Sequence, residues 1–443
     1  MMGSALQNTN DLLQSLSLHN LPPRRLGRLV AHDAMLLEIE GFPVPLFTPV
    51  RITAADGRSV AGEIIGFRRD KSLAMPLCND VPLAVGAPVV ADGSAGLVRC
   101  GPKLLGRVID ALGRPLDGQP LPELPDTWPL AGRSGNPLGR GRVTETFDCG
   151  VRSINALLSL GEGQRIAIIA GSGVGKSVLM SQMLAGANCD VIVVGLIGER
   201  AREVSDFLEK QLVGATRARS IVVATAADEA PLLRGKAAMR ATAIAEYFRD
   251  QGQRVLLLVD SLTRVAHAQR EIGLALGETP AMKGYPPSAL SLIPRLVERA
   301  GCNRSSGGSI TALYTVLADG GDLDDPIVDA ARAIVDGHII LSRSLAEAGV
   351  YPAVDIGRSL SRTMADTADA DHLSAARHFR RLWSTYEENR DLVLMGAYAP
   401  GNDSLLDEAV SRHGELRDFI TQSERELTDY AASRQDLIER FTP

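Results

Sequence analysis

The chain has 443 residues, 45% of them apolar, with a formal net charge of −6 and 4% aromatics. That length exceeds what one hydrophobic core supports and points to about two to four domains. The acidic balance and the scarcity of aromatics exclude a basic stripe or a stacking platform for nucleic acid.

The five cysteines, Cys78, Cys100, Cys149, Cys189 and Cys302, form no CxxC pair and have no histidine at ligand spacing. They read as buried apolar thiols rather than as a zinc site or a disulfide framework. No apolar run approaches the roughly 20 residues that span a bilayer. The opening MMGSALQNTN lacks the charged-then-apolar order of a signal peptide. The expectation is a cytoplasmic globular protein that reaches any membrane through partners.

Residues 1–23 are polar and end at Pro22-Pro23, with Leu12, Leu13 and Leu16 at helical spacing. This predicts a short amphipathic helix, either a docking element or a cap on the first domain. Over 24–95, short β-rich segments such as VRITA and AGEIIGF are separated by glycine and aspartate, the texture of a small β-barrel. Residues 96–146, rich in proline and glycine between Gly113 and Pro137, predict an extended connection into the next domain. Over 147–364, strands alternate with helical patterns, which predicts a mainly parallel sheet with crossovers. Residues 365–443 carry apolar residues at three- and four-residue spacing and predict a C-terminal helical domain. The fold class is therefore α/β, with a small N-terminal β-barrel, a central P-loop domain and a helical C-terminus.

Within the alternating region, the apolar run Ile166 to Ala170 empties into Gly171, Ser172, Gly173, Val174, Gly175, Lys176 and Ser177, and then into VLMSQMLAGA. A glycine-rich turn between strand and helix cradles phosphate, because successive backbone N–H groups curl around the anion and the helix dipole adds to them. Lys176 can reach the β- and γ-phosphates, and the Ser177 hydroxyl can ligate Mg²⁺. The motif asks for glycine where this chain has Ala170, a residue small enough to fit. Val191 to Gly198 reads as a buried strand with Glu199 and Arg200 at its carboxyl end, where open parallel sheets gather ligands. A second buried run, VLLLV, ends in Asp260 and Ser261, suited to a water-mediated Mg²⁺ carboxylate. Glu199 would orient and deprotonate the attacking water.

These motifs, together with YPAVDIGRSLSR (Tyr351 to Arg362), GERAREVSDFLE and GPKLLGRVIDALGRPLDG, resemble the rotary ATPase catalytic family. GYPPSALSLIPRLVERAG and ENRDLVLMGAYAPGNDSLLDEAV resemble its type III secretion branch, most specifically the flagellar protein-export ATPases. The resemblance implies a barrel, a RecA-like nucleotide domain and a helical domain assembled as a homo-hexamer. It assigns ATP to the site, Lys176 to the β/γ-phosphates, Ser177 and Asp260 to Mg²⁺ and Glu199 to the base. Arg200 and Arg299 fall to the γ-phosphate side, and Tyr351 to the adenine ring. Arg362 corresponds to an arginine finger inserted into the neighbouring subunit's site. Loop Gly277 to Pro287 resembles a pore-facing loop that touches a central coiled-coil stalk. Further implied partners are a peripheral stalk regulator at the N-terminus, export gate membrane proteins, export substrates and their chaperones, and no nucleic acid.

An ATP synthase headpiece divides catalytic acid and finger between two subunit types, whereas here Glu199 and Arg362 lie on one polypeptide. Three other readings stay open beside flagellar export. They are the ATPase of a virulence injectisome, a ring helicase of the transcription-termination type, and a binding-only subunit. The barrel's Phe42, Phe47 and Phe67, with no tyrosine or tryptophan, speak against the helicase; intact Lys176, Glu199 and Asp260 speak against the last.

Overall fold

The computed structural model describes residues 25–33, 35–78, 82–92, 96–133, 136–318 and 322–443. The leader with Leu12, Leu13 and Leu16 lies outside the described residues. The chain forms two compact units, one ending at Ala95 and one starting at Gly96.

The first unit is a closed six-stranded barrel in the order β1-β2-β5-β4-β3-β6. Its strands are β1 (Leu26–Asp33), β2 (Leu36–Glu40), β3 (Pro49–Thr53), β4 (Ser59–Arg68), β5 (Lys71–Pro76) and β6 (Pro88–Ala91). Alternation drives closure: Val50 and Ile52 point inward from β3 while Arg51 and Thr53 face out. Leu29, Leu37, Ile39, Ile64 and Val89 complete the interior. A closed ladder leaves no unpaired edge. Of the barrel phenylalanines, Phe42 is buried, while Phe47 and Phe67 are exposed.

The second unit begins with β7 (Leu97–Cys100), β8 (Val108–Ile109), β9 (Asp126–Pro129), β10 (Thr146–Phe147) and β11 (Leu160–Gly161). The core strands are β12 (Arg165–Ala170), β13 (Val191–Glu199), β14 (Ser220–Ala226) and β15 (Arg254–Asp260). After them come β16 (Gly301–Cys302), β17 (Ser309–Leu317), β18 (Gly337–Ile340) and β19 (Leu360–Ser361). Nine of these make one sheet in the order β19-β18-β12-β17-β15-β13-β14-β8, with β16 paired to β17. All pairs are parallel except those of β16 and β19. Helices on both faces bury β13 from Val191 to Gly198, which is why that strand reads as a continuous apolar run rather than an alternation. Parallel register aligns the carboxyl ends: Ala170 stands opposite Leu317, and Leu196 opposite Asp260.

Of the Gly113–Pro137 stretch, expected as an extended connection, residues 113–133 are folded onto the sheet domain. Asp117 takes two hydrogen bonds from Arg107, at 2.6 and 2.8 Å. Trp128 donates Nε1–H to Glu246 at 2.9 Å, and Tyr247 donates to Asp126 at 2.7 Å. β7 and β9 pair as a separate ribbon.

The C-terminal helices Ala370–Leu394, Ser404–Ile420 and Tyr430–Phe441 meet around Phe379, Phe419 and Phe441, whose ring centroids are 4.9 to 5.6 Å apart. The Asp369 carboxylate caps the first of them on the His372 amide at 3.0 Å. Backbone ties to the sheet domain include Gln422 N–H to the Tyr351 carbonyl at 2.8 Å. Arg152 Nε donates to the Phe419 carbonyl at 2.9 Å. Among the described residues, no helix is long and apolar enough to cross a membrane.

Candidate active site

The phosphate loop leaves β12 at Ala170, whose own geometry needs no glycine. Ala170 is the last ladder residue, paired with Leu317, and its carbonyl accepts from the Ala318 amide at 3.0 Å. The turn's demand falls on Gly175, which caps the helix Lys176–Gly186 with φ 89. A side chain there would be strained by the left-handed backbone and would meet the Tyr351 ring, 3.2 Å from a Cβ placed on Gly175. Tyr351 therefore lies against the loop, and the residue is still 41% exposed.

A cavity of about 300 Å³ opens beside the loop, lined by Lys176, Ser177, Glu199, Glu203, Asp260 and Gln211 among others. Lys176 Nζ donates to Asp260 Oδ1 at 2.6 Å, and Thr315 Oγ1 donates to the same oxygen at 2.5 Å. Asp260 is buried and Lys176 part-buried, so the ammonium is held in place by a carboxylate that is itself fixed from β17. Glu199, the last residue of β13, is pushed up to about 7, first by burial, then by a hydrogen bond with Glu203 and the nearby charge of Asp260. The Glu203 carboxyl moves the other way, held down chiefly by that same hydrogen bond. A carboxyl poised near neutrality, four residues from an ionised partner, is suited to accept a proton at ordinary pH.

Sequence reasoning missed one residue that lines the site, Glu203, and one whose stem packs against the strand end that carries Glu199, Arg264. Glu203 lies one turn into the helix Ala201–Asp206, and Arg264 lies on the first turn of the helix Leu262–Leu276, beyond the Ser261 cap. Gly198 (φ 69) lets the Arg264 stem approach: a Cβ there would meet Arg264 Cβ at 3.2 Å. The buried Arg264 Nε has no hydrogen-bond partner among the described residues. In each case the signal was a charged residue four places after a strand-ending acid, Glu199 or Asp260.

The other arginines separate. Arg200 caps the helix Ala201–Asp206 through its backbone, and its side chain is 85% exposed. Arg299, expected on the γ-phosphate side, is instead at the amino ends of the strands. Its guanidinium binds Glu246 at 3.0 and 2.7 Å and the Leu130 carbonyl at 2.9 Å. The next residues, Gly301 and Cys302, pair with Ile310 and Ser309 at the start of β17, whereas the phosphate loop borders its end. A buried bidentate ion pair occupies this arginine's donors, so it is structural in this fold. Arg362 is exposed and follows β19 at the same amino end, its amide bonded to the Asp336 carbonyl at 2.9 Å.

Comparison with known proteins places this geometry in a family. Residues 150–361 match the ATP synthase alpha/beta family, nucleotide-binding domain, and residues 368–439 match the T3SS EscN ATPase C-terminal domain. The chain is 50% identical to a flagellum-specific ATP synthase of Salmonella typhimurium, covering 94% of this chain and 93% of that one. It is 46% identical to a type 3 secretion system ATPase of Xanthomonas euvesicatoria, covering 92% of each. The solved assembled ATPase EscN of the enteropathogenic E. coli type III secretion system superimposes with a TM-score of 0.88 at 39% identity, covering 93% of this chain and 99% of that one. That protein has also been solved in complex with its central stalk EscO, with a TM-score of 0.85. The chain belongs to the family of flagellum-specific ATP synthases and type III secretion ATPases, and it is an ATPase.

Proposed function

We propose that this chain hydrolyses Mg²⁺-bound ATP in a homo-hexameric ring that drives flagellar type III protein export. The observation that carries the reading is the Lys176–Asp260–Glu199 cluster, Asp260 buried and the other two part-buried, at the carboxyl ends of β12, β13 and β15. Lys176 exchanges its bond to Asp260 for the β- and γ-phosphates, and the backbone N–H groups from Gly171 to Gly175 hold the phosphate oxygens. Glu199 orients water and takes its proton, with Glu203 fixing the carboxyl. Arg264, whose stem packs against Gly198 just before Glu199, is assigned to the charge that develops there. Tyr351 stacks on adenine.

The donor set fits Mg²⁺: the Ser177 hydroxyl and the carboxylates Glu199, Glu203 and Asp260 line one cavity together with Lys176, a hard-oxygen environment. Ser177 would hold the ion directly and Asp260 through water. When bound, it would neutralise charge on the β- and γ-phosphate oxygens.

Arg362 completes the site of the next copy as an arginine finger. The central stalk seen with EscN supports an equivalent contact here at loop Gly277–Pro287, and residues 1–23 are assigned to a peripheral stalk partner. Export substrates, their chaperones and the membrane gate complete the set, with the enzyme cytoplasmic and membrane-associated through them. The higher identity to the Salmonella flagellar protein than to the Xanthomonas secretion protein favours flagellar export over an injectisome.

A chromosomal Lys176→Ala substitution in the native cell tests the reading. The expected result is loss of filament-protein export and swimming, with any injectisome secretion unchanged. Normal export, or loss confined to injectisome secretion, would overturn it.

A further inference from the structure

The rim of the phosphate site and the surface around Arg362 carry complementary charges, and they sit on different faces of one copy. The rim is the short helix Ala201–Asp206, which follows Glu199. Its Arg202 is 91% exposed and meets its in-chain partner Asp206 only at 3.8 Å. At this distance, an exposed pair contributes almost nothing.

Beside Arg362, at the amino ends of β12 and β18, lies a cleft of about 630 Å³ whose walls include Arg142, Arg165, Glu298, Asp336, Thr363 and Asp366. Its charges are unequally occupied. Arg165 is taken by Asp336 at 2.9 Å and Glu298 at 2.7 Å. Asp366, four residues past Arg362 on the turn Met364–Thr367, is exposed, and its carboxylate has no partner among the described residues. The cleft thus presents a free acid at Asp366 and an exposed cation at Arg142, while the rim helix presents a cation at Arg202, its acid Asp206 being held by Lys210 at 2.6 Å.

We infer that the helix Ala201–Asp206 of one copy seats over the cleft beside Arg362 in a second copy, with Arg202 against Asp366. The inference rests on the shared-site reading above. If Arg362 enters the neighbour's phosphate cavity, the surface four residues from it must cover that cavity's rim, and Arg202 is three residues from Glu199 on that rim. Charges at such a margin set register and the strength of assembly more than they build core affinity. The contact therefore selects the rotation between copies at which Arg362 points into the site.

Charge reversal tests it. Arg202→Glu and Asp366→Arg are each made alone and then combined, and hydrolysis is measured against protein concentration alongside sedimentation with a non-hydrolysable ATP analogue. Each single reversal should raise the concentration for half-maximal specific activity by about tenfold, and the double reversal should return it to within about twofold. Thermal melts of the isolated chains confirm that both surface variants stay folded. Unchanged single variants, or a double reversal no better than the singles, would overturn the contact. Mixing Lys176→Ala with Arg362→Ala protein separates the two levels. Recovery on mixing without rescue by the double reversal removes this contact alone, whereas no recovery on mixing removes the shared site and this contact with it.

Discussion

Arg362 and Lys176 stand at opposite ends of the same sheet. The Arg362 amide bonds to the Asp336 carbonyl, and the Asp336 carboxylate receives the amide of Arg165, the first residue of β12, at 3.0 Å. Lys176 is reached from the other end, through Ala170. With about 3.3 Å of rise per residue, the strand alone separates them by about 17 Å, more than an arginine side chain spans. An exposed arginine this far from its own phosphate loop can serve such a site only in another copy.

Lys176→Ala should lose ATP binding and hydrolysis together, because the ammonium contacts phosphate before and during transfer. Glu199→Gln should keep ATP affinity within about threefold while turnover falls by about 10²- to 10⁴-fold, since only proton acceptance is removed. Equilibrium ATP binding and steady-state hydrolysis on both variants decide it. A Glu199→Gln enzyme with near-normal turnover would take Glu199 out of the base role.

The raised Glu199 carboxyl sets the pH dependence. Its folded-state value of about 7 means that it carries a proton below neutrality and cannot accept another. kcat/KM should therefore fall about tenfold per pH unit on the acid side of about 7 and level off above it. A profile that stays flat through this range would show that Glu199 is ionised throughout.

Arg264 has a buried Nε with no hydrogen-bond partner among the described residues, and its stem packs against Gly198, the residue before Glu199. Arg264→Gln should lower turnover by about 10²- to 10³-fold, the usual cost of removing one donor aimed at developing charge, and Arg264→Lys should recover part of it. Turnover unchanged in Arg264→Gln would make the residue a packing element against Gly198.

Much of this was legible because local chemistry dictated it. The glycine turn from Gly171 to Gly175 announces itself, as do strands that end in Glu199 and Asp260, and the barrel's alternation around Val50 and Ile52. What escaped was set by long-range pairing. Trp128 meets Glu246 118 residues away, so a Pro- and Gly-rich stretch that reads as a connection becomes part of the sheet domain. Glu203 and Arg264 sit in the first turns of helices, and their spacing of four from Glu199 and Asp260 does not by itself tell a site-facing charge from a solvated one. Arg299 was misplaced because family motif and chain position do not report which end of a sheet a side chain occupies.

Arg299 should accordingly act on stability rather than chemistry. Arg299→Ala strands the buried Glu246 carboxylate and should cost about 3 to 5 kcal/mol, while an Arg299→Met/Glu246→Leu pair should recover most of it. ATP binding below the unfolding transition should be unaffected. A stable Arg299→Ala protein with impaired hydrolysis would return this residue to the phosphate site.

Whether the site is built from two copies is decided by mixing Lys176→Ala protein with Arg362→Ala protein and measuring ATP hydrolysis. Each is inactive alone, one lacking the phosphate lysine and the other the finger, whose contribution is roughly 10³- to 10⁵-fold. A mixed ring contains interfaces where an intact Lys176 meets an intact Arg362, and activity should return in proportion to their number. If fluorescence exchange shows that mixed assemblies form and hydrolysis stays at the level of either parent, Arg362 does not complete a neighbour's site, and the ring mechanism proposed here is contradicted.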